Sequence, residues 1–292
     1  MQTPGVSVDE AQLRHPLERP LFWIFVALNV AIAAAALFIV IKGSDWLAAH
    51  PLIAKEGTRI RALATAAILG LPAITFVRNT RHADLQGNSI RISPAQLPEL
   101  DSILRSYCKR LGMNRVPELY FSDSAIKEAA RAYTSWQDEY IVLSTRFLQP
   151  DLRPILGVLG FLLGRELGRL RLGHASWQTE LLLSYVKRIP YLRNPLLRVF
   201  TYSEDRYGAY LAPNGVLGLV ALSAGRLMLP AVNVADYLQQ VRSRSGIWSR
   251  FTPLINEIPQ TANRIRALYA AGLFRVEGSS TTLPEHAGGD RH

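Results

Sequence analysis

Apolar positions fall into two unbroken runs near the start of the chain and a periodic pattern afterwards. Residues 21–41, "LFWIFVALNVAIAAAALFIVI", carry no charge and a single polar residue, Asn29. About 20 such residues cross a hydrocarbon core at a rise of 1.5 Å each, so this run predicts a transmembrane helix. It is long for the apolar part of a cleaved signal, and a second apolar run follows it. Phe22 and Trp23 sit at its start, and Arg14, Arg19 and Lys42 flank it. The second run, "ALATAAILGLPAITFV" at 62–77, lies between Arg59 and Arg61 on one side and Arg78 and Arg81 on the other. It holds Gly70 and Pro72, which a membrane helix tolerates better than a soluble one. The expected organisation is a tail at 1–20, a transmembrane helix at 21–41, a connection at 42–60 and a second transmembrane helix at 61–78. Two spans place both ends on one side. Lys and Arg occur in both the connection and the outer flanks, so charge adds only a weak bias toward cytoplasmic termini.

From residue 88 onward the pattern is that of a soluble domain, taken as 79–276. "GNSIRIS" predicts a short strand, and "PAQLPELDSILRSYCKRLGM" a helix with Leu97, Leu100, Ile103, Leu104 and Leu111 on one face. "PELYFSDS" and "EYIVLSTRFL" are strand-like runs around a variable connection. "QPDLRPILGVLGFLLGRELGRLRLGH" and "NPLLRVFTYSEDRYGAYLA" predict two helices, and further helical segments follow between Pro230, Pro253 and Pro259. Residues 277–292 are polar, contain glycine and are expected to be disordered. The fold class expected is α+β, mainly helical, with a small sheet.

Composition narrows the function classes. The net charge of +10 over 292 residues suggests an acidic partner, nucleic acid or anionic lipid. The basic residues are scattered without interleaved aromatics, which argues against nucleic acid. The densest clusters, "RLRLGH" and "VRSRSGIWSR", suit a solvated face or anionic headgroups. The lone Cys108 excludes an internal disulfide. The chain contains no glycine-rich phosphate loop and no CxxC pair.

The stretch that points to chemistry is "FLLGRELGRLRLGH", 161–174. Zinc endopeptidases of the HExxH type place two histidines one helical turn apart on one ion, with a glutamate between them as general base. Here the corresponding positions are Arg165, Glu166 and Arg169. Alone, "RELGR" suits a solvated helix face. Five blocks in order nevertheless resemble the HtpX-like family of integral-membrane zinc endopeptidases, which includes the CAAX prenyl proteases. These blocks are "GNSIRISPAQLP", "CKRLGMNRVPELYFSDS", "LGRELGRLRLGH", "TYSEDRYGAYLA" and "IPQTANRIRAL", spanning about residues 86–274. The resemblance implies a zincin-like (gluzincin) domain behind a two-helix transmembrane hairpin. It also implies a multi-pass protein of the bacterial inner membrane with a cytoplasmic peptidase-like domain.

Carried over by position, the histidine ligands fall on Arg165 and Arg169, and the glutamate ligand falls on Thr201. The general base falls on Glu166, and the outer carboxylate that supports the ligands falls on Asp205. A family histidine reads Ile258, and the substrate-strand pattern reads "EAAR" at 128–131. Arginine has no lone pair to give zinc. Glu204 and His174 are nearby donors, but His174 lies two turns, about 11 Å, beyond Glu166. The reading is a pseudopeptidase with no cofactor, Glu166 inert, and Arg165 and Arg169 paired with Asp205, Glu166 or Glu204. Its partners are the lipid bilayer and a peptide or membrane protein held in a cleft around Glu128, Arg131, His174, Glu204 and Ile258. The alternatives are an active zinc endopeptidase with a rearranged site, acting in proteolysis of membrane proteins, and a basic membrane-surface module.

Overall fold

The computed structural model describes residues 10–50, 55–123, 126, 128–135, 138–145, 156–228, 231–243 and 256–273. The chain is mainly helical with one small mixed sheet. A short helix, α1 (Glu10–Leu13), leads into α2 (Glu18–Ala48), and α3 (Gly57–Gly87) packs against α2. Both long helices have 31 residues, and each is long and apolar enough to cross a membrane.

Their apolar side chains point outward. Only 22% of the apolar window of α2 and 6% of that of α3 is buried. Leu63 and Phe76 are 72% and 71% exposed. A soluble domain would cover such side chains, each worth roughly 1.5–3 kcal/mol when buried. The lone polar residue of the first run, Asn29, is buried instead. Its Oδ1 accepts from the backbone N–H groups of Tyr185 (2.7 Å) and Val186 (3.3 Å), fastening a later segment to α2.

Both helices outrun their apolar cores. The helix α2 begins at Glu18, inside the expected tail, and α3 continues past Arg78 to Gly87. Nothing in "RNTRHADLQ" breaks a helix, and the next glycine is Gly87. The last turns of α3 therefore project His82 onto the domain, where its Nδ1 lies 2.5 Å from the Tyr140 hydroxyl.

The sheet comprises β1 (Ile90–Ile92), β2 (Glu118–Ser122), β3 (Ala130–Thr134) and β4 (Glu139–Ser144), in the order β1-β2-β4-β3. The β2–β4 pair is parallel and the other two pairs are antiparallel. The central strand β4 has the continuous apolar run of a strand covered on both faces, and Tyr140, Ile141, Val142 and Leu143 are fully buried. The edge strand β3, "ARAYT", lies in what the sequence suggests is a variable connection. Its small and polar residues give little apolar signal, so pairing with β4 supplies its structure.

The helix α4 (Pro98–Arg110) packs beside α5 (Leu156–Arg171). Cys108 on α4 is a core residue whose thiol burial pushes up to about 11, against the opposing pull of Arg105. After α6 (Trp177–Leu182) comes α7 (Asn194–Leu211), the main partner of α5. Then follow α8 (Leu217–Met228), α9 (Val234–Ser243) and α10 (Thr261–Ala270). The apolar half of α5, with Phe161, Leu162, Leu163 and Leu167 fully buried, forms the centre of the core. The expected tail at 277–292, the strand end at 146–148, Pro230, Pro253 and most of the basic cluster 241–250 lie outside the described residues.

Candidate functional site: a guanidinium–carboxylate cluster

Glycines bring α5 and α7 close enough to build the site. A Cβ on Gly168 would fall 2.4 Å from the Tyr207 Cβ, and one on Gly208 would fall 2.7 Å from the Arg165 Cγ. No side chain fits in either place, so the two backbones touch. One turn along the same faces, Arg165 and Arg169 of α5 meet Glu204 and Asp205 of α7.

Three guanidinium groups then interlock with two carboxylates, beside a third, Glu166. Asp205, 1% exposed, accepts from Arg165 Nε at 2.6 Å on Oδ1. It also receives a two-pronged bond from Arg264 on α10, with Nε–Oδ2 and Nη2–Oδ1 both 2.6 Å. Glu204 receives Arg169 Nη1 at 3.1 Å and has Arg165 Nη2 at 3.6 Å. The expected pairing of Arg165 and Arg169 with Asp205 and Glu204 is present. Arg264 completes the charge balance. The resemblance block "IPQTANRIRAL" contains it, but nothing local marks it as a partner for Asp205.

Two buried glutamates on neighbouring helices have opposite electrostatics. Burial pushes the Glu204 carboxyl up, but Arg169, His174 and Arg165 outweigh it and hold it at about 2. Burial also pushes Glu166 up from its ordinary 4.5, and there it wins: Arg165 pulls the other way, while Glu204 adds to the rise. The nearest cation, Arg165 Nη1, is 3.9 Å from Glu166, beyond hydrogen-bond reach. Glu166 Oε2 instead accepts 2.8 Å from the backbone N–H of Ala132 on β3. Arg165 stays charged, because Asp205, Glu166 and Glu204 together outweigh its burial.

The cluster forms the floor of a cleft of about 760 Å³. Glu128 and Arg131 line one wall, Thr201 and Glu204 the floor, and Ile258 the opposite rim. Thr201 turns its hydroxyl to the Leu197 carbonyl of its own helix, at 2.9 Å. The outward edge of β3 is already engaged, at Ala132 N–H by Glu166 and at the Thr134 carbonyl by Arg78 Nη2 (2.7 Å).

His174 is placed differently from the expectation that it borders this cleft. Gly173, at φ 72°, turns the chain at the end of α5. His174 then folds back, stacks on Phe200 with ring centroids 3.8 Å apart, and lies behind Glu204. Its Nδ1 is 3.1 Å from Glu204 and its Nε2 3.2 Å from Glu18 at the start of α2. Glu18 is also bound by Arg14 at 2.7 Å and by the Ser203 hydroxyl. The cluster thus reaches the first apolar helix through a residue that reads, in sequence, only as a charge before a membrane span.

These donors do not suit zinc. Arg165 and Arg169 are cations with no lone pair to give a metal. The nearby imidazole has both nitrogens occupied by carboxylates. Among the described residues no group of three or more His, Cys, Asp or Glu is arranged to hold a metal ion. Comparison of the chain with protein-family models, with curated proteins and with solved structures finds no match.

Proposed function

We propose that this chain is a membrane-anchored, non-catalytic pseudopeptidase with a zincin-like domain, binding a peptide or membrane-protein partner through the cleft between β3 and the α5–α7 pair. The observation that carries this reading is the ion-paired state of Arg165 and Arg169. They stand where the HtpX-like resemblance puts two metal ligands, and their charges are neutralised by carboxylates that a dication would otherwise serve. A buried carboxylate deprived of its counter-charge costs several kcal/mol, and the arginines remove that cost without an ion.

Glu166 fits no catalytic role in this setting. Its Oε2 accepts from the Ala132 N–H, and a lone carboxylate is too weak a base to activate free water with a pKa near 15.7. The stretch from Glu128 to Arg131, before the engaged part of β3, is where an extended partner would meet the wall of the cleft.

The test is metal analysis and peptide cleavage on the purified full chain. The expected result is zinc well below one per chain and no cleavage. Near one zinc per chain, with cleavage abolished both by chelator and by Glu166→Gln, would overturn the reading.

A further inference from the structure

A second cavity, of about 950 Å³, opens on the other side of Arg169, between α3 and the segment that follows α5. Five arginines line it: Arg78, Arg81, Arg131, Arg169 and Arg188. The carboxylates of its lining are Asp84 and Glu180. Asp84 accepts from Asn88, and Glu180 is held by Lys187 at 2.7 Å.

The arginines outnumber the carboxylates near them: Glu128 lies 3.9 Å from Arg131, Glu204 takes Arg169, and Glu180 is shared with Lys187. Arg78 is held by neutral acceptors, the carbonyls of Thr134 (2.7 Å) and Ala175 (2.9 Å) and the His82 ring. Arg188 bonds the Ser184 carbonyl. Arg81 is exposed and has no carboxylate partner among the described residues. Arg169 gives Nη1 to Glu204, and its buried Nε has no hydrogen-bond partner among the described residues. A site with this excess of forked donors suits a phosphate, whose oxygens accept two N–H bonds from one guanidinium.

Its position bears on the source of such a phosphate. Along α3 the lining changes from Gly70, Ala73 and Val77 to Arg78 and Arg81, across the end of the apolar run at 62–77. The Tyr185 hydroxyl reaches the Ala67 carbonyl at 3.4 Å, and Asn29 holds the Tyr185 backbone. The segment around Tyr185 therefore lies at the level of both apolar runs. Beside it, Trp177, Leu181, Leu182, Ile189 and Tyr191 are 38–66% exposed. Aromatic and aliphatic side chains next to a basic pocket are the composition of a membrane–water interface.

We propose that this cavity binds the phosphate headgroup of one anionic phospholipid, with the upper acyl chain along Gly70, Ala73 and Val77. The proposal rests on the membrane-anchored reading above and is independent of whether the cleft is catalytic. Bound there, the headgroup touches Arg169, the residue that also holds Glu204 on the cleft floor.

The test is native mass spectrometry of the full chain in detergent, equilibrated with equimolar dioleoylphosphatidylglycerol and dioleoylphosphatidylcholine. One phosphatidylglycerol is expected to remain bound, at least tenfold preferred. Arg81→Gln with Arg188→Gln should reduce that preference about tenfold at an unchanged unfolding midpoint, and the Glu pair should abolish it. Equal retention of both lipids, or an unaltered preference in a folded double variant, overturns the proposal. Displacement of the lipid by millimolar inorganic phosphate would assign the site to a soluble phosphate and overturn the lipid assignment. Alkaline carbonate treatment of membranes separates the two failures. A chain that washes off loses the membrane reading and this proposal with it. A chain that stays while showing no lipid preference loses this proposal alone.

Discussion

At the residue scale, Asp205 carries the cluster, because two guanidinium groups converge on one buried carboxylate. Asp205→Asn removes the buried negative charge shared by Arg165 and Arg264. The expected loss is about 3–5 kcal/mol, read by chemical unfolding of the full chain in detergent. The two glutamates give a signed pH dependence. Glu204 is held at about 2 against an ordinary 4.5, so its stabilisation is complete above pH 4.5 and is lost as the pH falls toward 2. Glu204→Gln should flatten the stability profile across that window. Glu166 is raised, so its ionisation in the folded state costs stability as the pH climbs above 4.5. Glu166→Gln, which keeps an acceptor for Ala132, should therefore leave the unfolding midpoint at pH 7 unchanged or higher. A drop of more than about 1 kcal/mol would mean that the ionised form is favoured there.

At the element scale, the crossing of α5 and α7 positions every member of the cluster. Gly168→Ala places a methyl group 2.4 Å from the Tyr207 Cβ. Overpacking of this kind costs typically 1–3 kcal/mol, and here the loss should come with weaker Arg165–Asp205 pairing as the helices separate. A thermal midpoint equal to that of the parent would show that the helices do not touch at this point. Both helices were legible from their apolar spacing, and so were β1, β2, β4 and α4. Only the start of β3 was expected, from the resemblance's strand pattern at 128–131, because "ARAYT" itself reads as strand only once β4 lies beside it. The extra turns of α2 and α3 were hidden because an apolar run marks only where the apolar residues end, whereas a helix ends only where its hydrogen bonds do.

At the scale of the whole molecule, Asn29, Tyr185 and Glu18 tie the domain to the apolar hairpin. The orientation that the resemblance and the weak charge bias imply, both termini and the domain cytoplasmic and the connection at 42–60 outside, is a proposal that labelling tests. Single cysteines introduced in a Cys108→Ala background and labelled from each side should react accordingly. Labelling of the domain from outside alone would reverse the orientation. Replacing Arg165 and Arg169 by His and Thr201 by Glu in one chain should restore zinc binding if the domain keeps the zincin-like geometry. Absence of zinc from a folded triple variant would count against that geometry.

By itself the sequence determined which segments are apolar enough to cross a membrane, which helix carries the paired arginines, and that those positions hold cations with no lone pair for a metal. These are properties of residue type and spacing, fixed before folding. Only the tertiary structure decided the partners: Arg264 on Asp205, Ala132 on Glu166, and His174 between Glu204 and Glu18. The reason is physical. A charge in sequence becomes an ion pair only when two chain segments meet at hydrogen-bond distance out of water. Here that meeting depends on glycines that let α5 and α7 touch; the turn at Gly173 is a local helix-stop signal, but the carboxylates it brings His174 to are not legible locally.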